Sequence, residues 1–286
     1  MKKRILRLAL VAILLLLTAQ AIWDNQNLGR TDYHVTDELL PEAFDGYRIV
    51  QISDLHNASF GKDNSRLIER VRSAQPDIIT ITGDMIDSRR TNVDVALQFA
   101  REAVKIAPCY YVTGNHELRD EELDTLLDGL ETAGVTVLRG ESVRLEKDGQ
   151  RIQLVGIDDP SLVTQDLECY EAVVSQMLDR YQSRNFTILL THRPEFMEVF
   201  CRYGINLALA GHNHGGPVRL PWLGGLFASG EFFPKYDGGL YQQEGTSLVV
   251  SRGLGNSLFP LRINNPPEVV MVTLHTGKEQ FCEATD

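Results

Sequence analysis

Residues 47–56 read Tyr47-Arg48-Ile49-Val50-Gln51-Ile52-Ser53-Asp54-Leu55-His56, an apolar run of strand length that stops at an aspartate and a histidine two positions apart. Its hydrophobic residues run on instead of alternating, which marks a strand covered on both faces. A helical pattern follows over residues 64–74, with Leu67, Ile68 and Val71 on one face, and a second strand of the same kind over 77–82. The alternation continues with a helix at 93–104, a strand at 109–113 and a helix at 121–133. That order predicts an α/β fold.

Further on, residues 142–146 and 151–157 flank Lys147-Asp148-Gly149-Gln150, a β-hairpin with an Asp-Gly turn. A helix (171–184), a strand (186–190), a short helix (195–202) and another strand (206–210) come next. The last third is Gly-rich loop between short strands at 247–251 and 268–274. The stretch after Asp24 reads as extended chain with turns. Two packed sheets with helices outside them accommodate this order.

The chemistry sits where the strands stop. The first ends in Ser53-Asp54-Leu55-His56, the second in Gly83-Asp84 and the third in Gly114-Asn115-His116-Glu117. Two later strands end in Thr191-His192 and Gly211-His212-Asn213-His214. Sites in open α/β sheets form just outside the carboxyl ends of strands. Of seven histidines, five (His56, His116, His192, His212, His214) occupy these ends. So many buried imidazoles and carboxylates would be costly without a shared partner. Imidazole, carboxylate and amide oxygen together suit divalent Mn, Fe or Zn. Asp54, His56, Asp84, Asn115, His192, His212 and His214 are too many ligands for one ion. Two ions bridged by Asp84 use them all, an arrangement that activates water and supports in-line displacement at phosphorus.

The series D-x-H, G-D-x-x-D, G-N-H-E, H and G-H-x-H, in this order, resembles the calcineurin-like metallophosphoesterase family over residues 33–274. Ser53-Asp54-Leu55-His56, Gly211-His212-Asn213-His214-Gly215-Gly216 and Phe233-Pro234-Lys235-Tyr236-Asp237 resemble its membrane-associated bacterial branch, with its phosphodiesterases and UDP-2,3-diacylglucosamine pyrophosphatase-like enzymes. The resemblance implies a four-layer α/β/β/α sandwich of two mixed sheets. It implies one ion on Asp54, His56, Asp84 and His214, a second on Asp84, Asn115, His192 and His212, and a hydroxide between them as nucleophile. His116, not a ligand, would donate a proton to the leaving oxygen. Phosphomonoesters, phosphodiesters and pyrophosphates are the implied substrates, a lipid-linked or nucleotide-sugar compound among them. A metal-binding scaffold of the same fold without turnover is the alternative.

Residues 1–24 stand apart from the catalytic domain at 25–286. Met1-Lys2-Lys3-Arg4 precedes an apolar run over 5–23, close to the roughly 20 residues that span a bilayer. A retained anchor is favoured, because the apolar stretch continues past Leu17; Ala19-Gln20-Ala21 also fits signal-peptide cleavage. A buried helix of a cytosolic protein is a third reading, set against the rarity of helices apolar all round in soluble domains. The basic residues before the run predict that the domain lies outside the cytoplasmic membrane. With Lys2, Lys3, Arg4 and Arg7 set aside, 24 basic residues face 39 acidic ones, a net charge of −15. Such a surface does not attract nucleic acid.

Other residues carry two readings each. Arg193 beside His192 is a candidate for a substrate phosphate. Asp87 and Glu117 orient ligands or are merely solvated. Asp158-Asp159-Pro160 lines the site mouth or makes a turn. Trp222, Phe227, Phe232 and Phe233 are loop packing or an apolar lip for a lipid-like substrate. His34 and His275 read as surface or structural residues. Cys109, Cys169, Cys201 and Cys282 match no metal or redox spacing; an oxidising exterior permits a disulfide between them, but their apolar or helical contexts favour buried free thiols.

Overall fold

The computed structural model describes residues 2–181, 183–256 and 259–277, the side chains at 13, 14 and 17 excepted. In chain order come α1 (Lys2–Gln26), β1 (Gly29–Asp37), β2 (Arg48–Ile52), α2 (Ser65–Ser73), β3 (Ile78–Thr82), α3 (Val93–Ala103), β4 (Cys109–Val112), α4 (Leu123–Ala133) and β5 (Thr136–Val137). Then follow β6 (Glu141–Lys147), β7 (Gln150–Gly156), α5 (Tyr170–Leu178), β8 (Thr187–Leu190), α6 (Met197–Arg202) and β9 (Leu207–Ala210). Four two-residue strands, β10 (Arg219–Leu220), β11 (Gly224–Gly225), β12 (Phe227–Ala228) and β13 (Glu231–Phe232), precede β14 (Gly239–Gln243), β15 (Thr246–Val250) and β16 (Glu268–Thr276).

Two six-stranded mixed sheets result, ordered β1-β16-β2-β3-β4-β5 and β14-β15-β9-β8-β7-β6. Within the first, β2, β3, β4 and β5 run parallel; within the second, β15, β9, β8 and β7 do. The strands alternate their burial between two cores. Ile49, Val112, Ile188, Leu207 and Val249 pack between the sheets. Val50, Ile52, Ile79 and Ile81 face the other way, against Leu67 and Val71 of α2, Phe99 of α3 and Leu126 of α4. Leu189, Ala208 and Val250 likewise face Val174 of α5 and Phe200 of α6. Helix, sheet, sheet, helix is therefore the layer order. It explains why the central strands read as unbroken apolar runs, since neither face meets water.

Several boundaries differ from expectation. The extended stretch after Asp24 contains β1, an edge strand parallel to β16, with Arg30, Asp32, His34 and Thr36 exposed on one face. That half-polar alternation is why it does not read as a buried strand. α5 ends at Leu178 in a 3-10 turn (Asp179–Tyr181), short of the helix expected to 184. The Asp-Gly turn of the β6–β7 hairpin has both residues at positive φ, 48° and 76°, as a tight hairpin twist requires. Cys109 is buried as expected, but Cys169 is exposed at the start of α5, and Cys201 is half-buried; all three are free. Cys282 and the end of the 25–286 domain lie outside the described residues.

α1 lies mostly off the body of the protein. Leu6, Leu8, Leu10, Leu15 and Leu16 are each at least 63% exposed, whereas Ala21 and Asp24 near its end are buried. Among the described residues no helix is long and apolar enough to cross a membrane.

Candidate metal centre

The carboxyl ends of β2, β3, β4, β8 and β9 meet at one edge, and the seven candidate ligands come together there. Asp54, His56, Asp84 and His214 form one cluster, their ligating atoms all within 4.8 Å of one another. His56 Nε2 lies 3.1 Å from His214 Nε2, and His214 Nε2 lies 3.3 Å from Asp54 Oδ1. Beside it, His192 Nε2 lies 3.3 Å from His212 Nδ1. Asp84 Oδ2 sits between the two pairs, 3.5 Å from His56 Nε2 and 3.2 Å from His192 Nε2. Asn115 Oδ1 is buried with no hydrogen-bond donor among the described residues.

These features fit divalent ions. Two neutral imidazoles that turn nitrogens toward each other at hydrogen-bond distance oppose lone pairs unless a proton or a cation lies between. The outward nitrogens are tied down in two cases: His192 Nδ1 lies 2.8 Å from the Thr82 carbonyl and His214 Nδ1 lies 3.3 Å from that of Gly255. Each ring thereby keeps its proton outward and its Nε2 lone pair inward, the arrangement expected around a metal. Burial holds His56 and His214 below the usual histidine range, and burial with the Arg193 charge does the same for His212. Burial also works against a charge on His192, but Asp84 and then Asp54 overcome it and push this ring up to about 10. A positive charge is favoured beside the Asp84 carboxylate, and a metal supplies it without a proton.

The backbone is bent to bring these atoms in. Asp54, His56, Asp84, His212 and His214 have φ of 52°, 44°, 52°, 71° and 52°, in the left-handed region that costs a non-glycine residue on the order of 1–3 kcal/mol. Glycines make room between them. A Cβ on Gly83, itself at φ 87°, would stand 2.6 Å from the Gly114 nitrogen and 2.8 Å from His192 Nδ1; one on Gly114 would stand 2.6 Å from the Asp84 nitrogen. The loops after β2 and β3 are joined by backbone bonds from Asp54 N–H to Gly83 O and from His56 N–H to Asp84 O, both 3.0 Å.

Glu117 is an orienter, buried and not solvated. Its carboxylate accepts the N–H of Asp84 (2.9 Å), Gly114 (2.8 Å), Met85 (2.5 Å) and Ile86 (3.3 Å). Burial and the Asp84 charge push its carboxyl up to about 8, while these four donors favour the charged form. Asp87 is buried and grips Arg89 with both oxygens, at 3.0 and 2.8 Å.

His116 lines a cleft of about 380 Å³ in front of the centre. Its ring meets that of His56 edge-on at 4.6 Å. The Ser88 N–H donates to Nδ1 at 3.1 Å, which leaves the proton of the neutral ring on Nε2, and Asp87 Oδ1 stands 3.6 Å from Nδ1.

Arg193 does not line that cleft. It is buried behind His212, with Nε donating to Asp159 (2.6 Å), Nη1 donating to Glu195 (3.2 Å), and the guanidinium over the Tyr170 ring. A guanidinium committed to two carboxylates is poorly placed for a substrate phosphate. Asp159 is thus a structural anchor, and Asp158 accepts from Thr113 Oγ1 and Arg139 Nε. His34 and His275 stack on each other far from the centre, at 5.2 Å.

Some of the site escapes sequence reasoning. Ser251-Arg252-Gly253-Leu254-Gly255-Asn256, after β15, folds over Asp54: the Gly255 N–H donates to its carbonyl at 2.6 Å. Arg262, fully buried at the cleft, donates to the carbonyls of Arg252 (2.8 Å) and Gly255 (2.6 Å), and so holds the loop that positions His214. The G-x-G at 253–255 was the only sequence signal. Arg89 and Arg119, not Arg193, are the arginines near His116 in the cleft wall.

Comparison with known proteins agrees with this site. Residues 47–216 match the family described as calcineurin-like phosphoesterase. The uncharacterized metallophosphoesterase YkuE of Bacillus subtilis is 32% identical over 85% of this chain and 84% of its own length. Phosphodiesterase YaeI of Escherichia coli is 29% identical over 80% of this chain and 82% of its own. A transmembrane protein with metallophosphoesterase domain from Danio rerio is 28% identical over 85% of this chain and 56% of its own. With its ligand-type side chains gathered as that family's chemistry demands, the chain belongs to the calcineurin-like metallophosphoesterases and is a phosphoester hydrolase.

Proposed function

We propose that the chain is a phosphodiesterase or pyrophosphatase that works with two divalent ions at the outer face of the cytoplasmic membrane. The observation that carries this reading is the double pair of inward ring nitrogens with Asp84 Oδ2 between them. Asp54, His56, Asp84 and His214 would hold one ion, and Asp84, Asn115, His192 and His212 the other. When bound, the ions supply an activated water and neutralise charge that builds at phosphorus. His116 would give its Nε2 proton to the leaving oxygen, since the Ser88 N–H that donates to Nδ1 keeps the ring proton on Nε2. Arg119, in the cleft wall, would take the phosphate role for which Arg193 was the sequence candidate. Export by the N-terminal helix, cut or retained, and a lipid-linked or nucleotide-sugar substrate belong to the same reading. The names phosphodiesterase and transmembrane protein among the relatives support it.

Elemental analysis of metal-replete protein and of Asp84→Ala, with hydrolysis of a chromogenic phosphodiester under Mn, Zn and Mg in turn, is the test. The expected result is two ions per wild-type chain. The variant should lose several kcal/mol of catalysis, about 10³-fold or more. Two ions bound without turnover under any metal would leave the scaffold alternative standing. Metal retained by the variant would sink the bridged centre.

A further inference from the structure

Three segments carry large apolar side chains into solvent beside the cleft. Trp222 is fully exposed and Leu223 66% exposed at the turn between β10 and β11; Phe232 (73%) and Phe233 (51%) close the next hairpin; Phe259 (56%) and Leu261 (48%) precede β16. Backbone bonds make them neighbours. The Arg219 N–H donates to Ile263 O at 3.0 Å and the Ile263 N–H to Pro217 O at 2.9 Å, which joins the Trp222 hairpin to the Phe259–Leu261 segment. The Leu226 N–H donates to Val218 O (2.9 Å) and the Phe233 N–H to Leu226 O (3.1 Å), which ties in the second hairpin. Phe227 lines the cleft and meets the Phe232 ring at 5.1 Å.

The end of α1 is bound to the same place. The Asn264 N–H donates to Asp24 Oδ2 at 2.7 Å, and Asn256 Nδ2 donates to Asn25 Oδ1. Asn264 Nδ2 in turn reaches Arg219 O at 3.4 Å. A rim of exposed aromatics is therefore continuous with a helix that exposes Leu6, Leu8, Leu10, Leu15 and Leu16 around its axis. A groove on a partner protein covers one stripe of such a helix. A lipid medium covers all of it and the tips together, and Trp and Phe at a rim suit the water–lipid boundary.

We propose that this rim seats the domain on a lipid surface and opens the cleft at headgroup depth. The cleft matches that seat, because Ser88, Arg89 and Arg119 make a polar, cationic wall and Phe227, Phe259 and Leu261 an apolar one. The phosphoester of an amphiphile can then reach the centre while its chains stay in lipid. This substrate class rests on the function proposed above; the seat itself does not. Nor does it need α1 to cross the bilayer.

The test uses the full chain with Trp23→Phe, which leaves Trp222 as the one tryptophan. Mixed with phosphatidylcholine–phosphatidylglycerol vesicles, Trp222 emission should shift to the blue, and bromine on the acyl chains should quench it by about half or more. Vesicle-bound protein with unquenched, water-like Trp222 emission overturns the proposal, as does failure to bind vesicles. A second variant, Trp222→Ser with Phe232→Ser and Phe233→Ser, should lose about tenfold or more in hydrolysis of a vesicle-embedded phosphodiester. With a soluble chromogenic phosphodiester it should stay within about twofold. Equal loss on both substrates overturns it, as does a vesicle-free dimer that this variant dissolves, since the tips would then bury against a second copy. Quenching without hydrolysis of either ester upholds the seat and removes the chemistry.

Discussion

His116 lines the cleft and is outside the proposed ligand sets, so its contribution can be separated from metal binding. His116→Ala should lower kcat by about 10²- to 10⁴-fold, the usual worth of a positioned proton donor, with two ions still bound by elemental analysis. A variant that loses its metal instead would make the ring a structural support. Gly114 gives the opposite kind of test. Gly114→Ala introduces a Cβ 2.6 Å from the Asp84 nitrogen, between two loops that cannot separate without breaking their bonds to Glu117. Overpacking of that kind costs about 1–3 kcal/mol, and denaturant unfolding should register it. At this scale the Asp, His and Asn residues read at the strand ends are the side chains that the fold gathers at one edge. The sequence could not tell that Arg193 is spent on Asp159 and Glu195 or that Arg262 is buried under the cleft, because Asp159 comes from a separate loop and the burial of Arg262 is set by packing.

The loops after β3 and β4 behave as one element, because a single carboxylate collects four of their N–H groups. Glu117→Gln keeps the shape but turns an amide NH₂ toward those donors. It should cost about 1–3 kcal/mol in thermal or denaturant unfolding. Metal affinity should fall about 10- to 100-fold in a chelator titration, as when a ligand loses its support. Unaltered metal affinity would confine Glu117 to a packing role. The central strands were legible because burial on both faces leaves an unbroken apolar run. β1 was not, since an edge strand with one wet face looks like loop, and the pairs β10–β11 and β12–β13 are two residues long, too short for any periodicity.

Across the molecule, the ion pair between Arg252 and Glu268 joins the loop over Asp54 to β16 and, through Thr31, to β1. Burial raises the Glu268 carboxyl, but the Arg252 side chain more than offsets this and holds it below its ordinary 4.5. Because the folded form binds its proton less readily than the unfolded chain, the stability this pair contributes is complete above pH 4.5. It is lost as the pH falls through the lower, folded-state value. Urea midpoints measured from neutral to acid pH should therefore drop on the acid side, and Glu268→Gln should start lower and flatten that limb; an unchanged acid limb in the variant would exclude the pair as its source. By itself the sequence determined the α/β order, the strand ends that carry Asp, His and Asn, and the glycines beside them, because patterning and turn chemistry are local. Tertiary structure alone decided which ring nitrogens face each other, which backbone angles are strained, which arginines line the cleft, and that exposed aromatics from separate loops share a rim with α1. Those are distances between residues far apart in the chain, and only packing sets them.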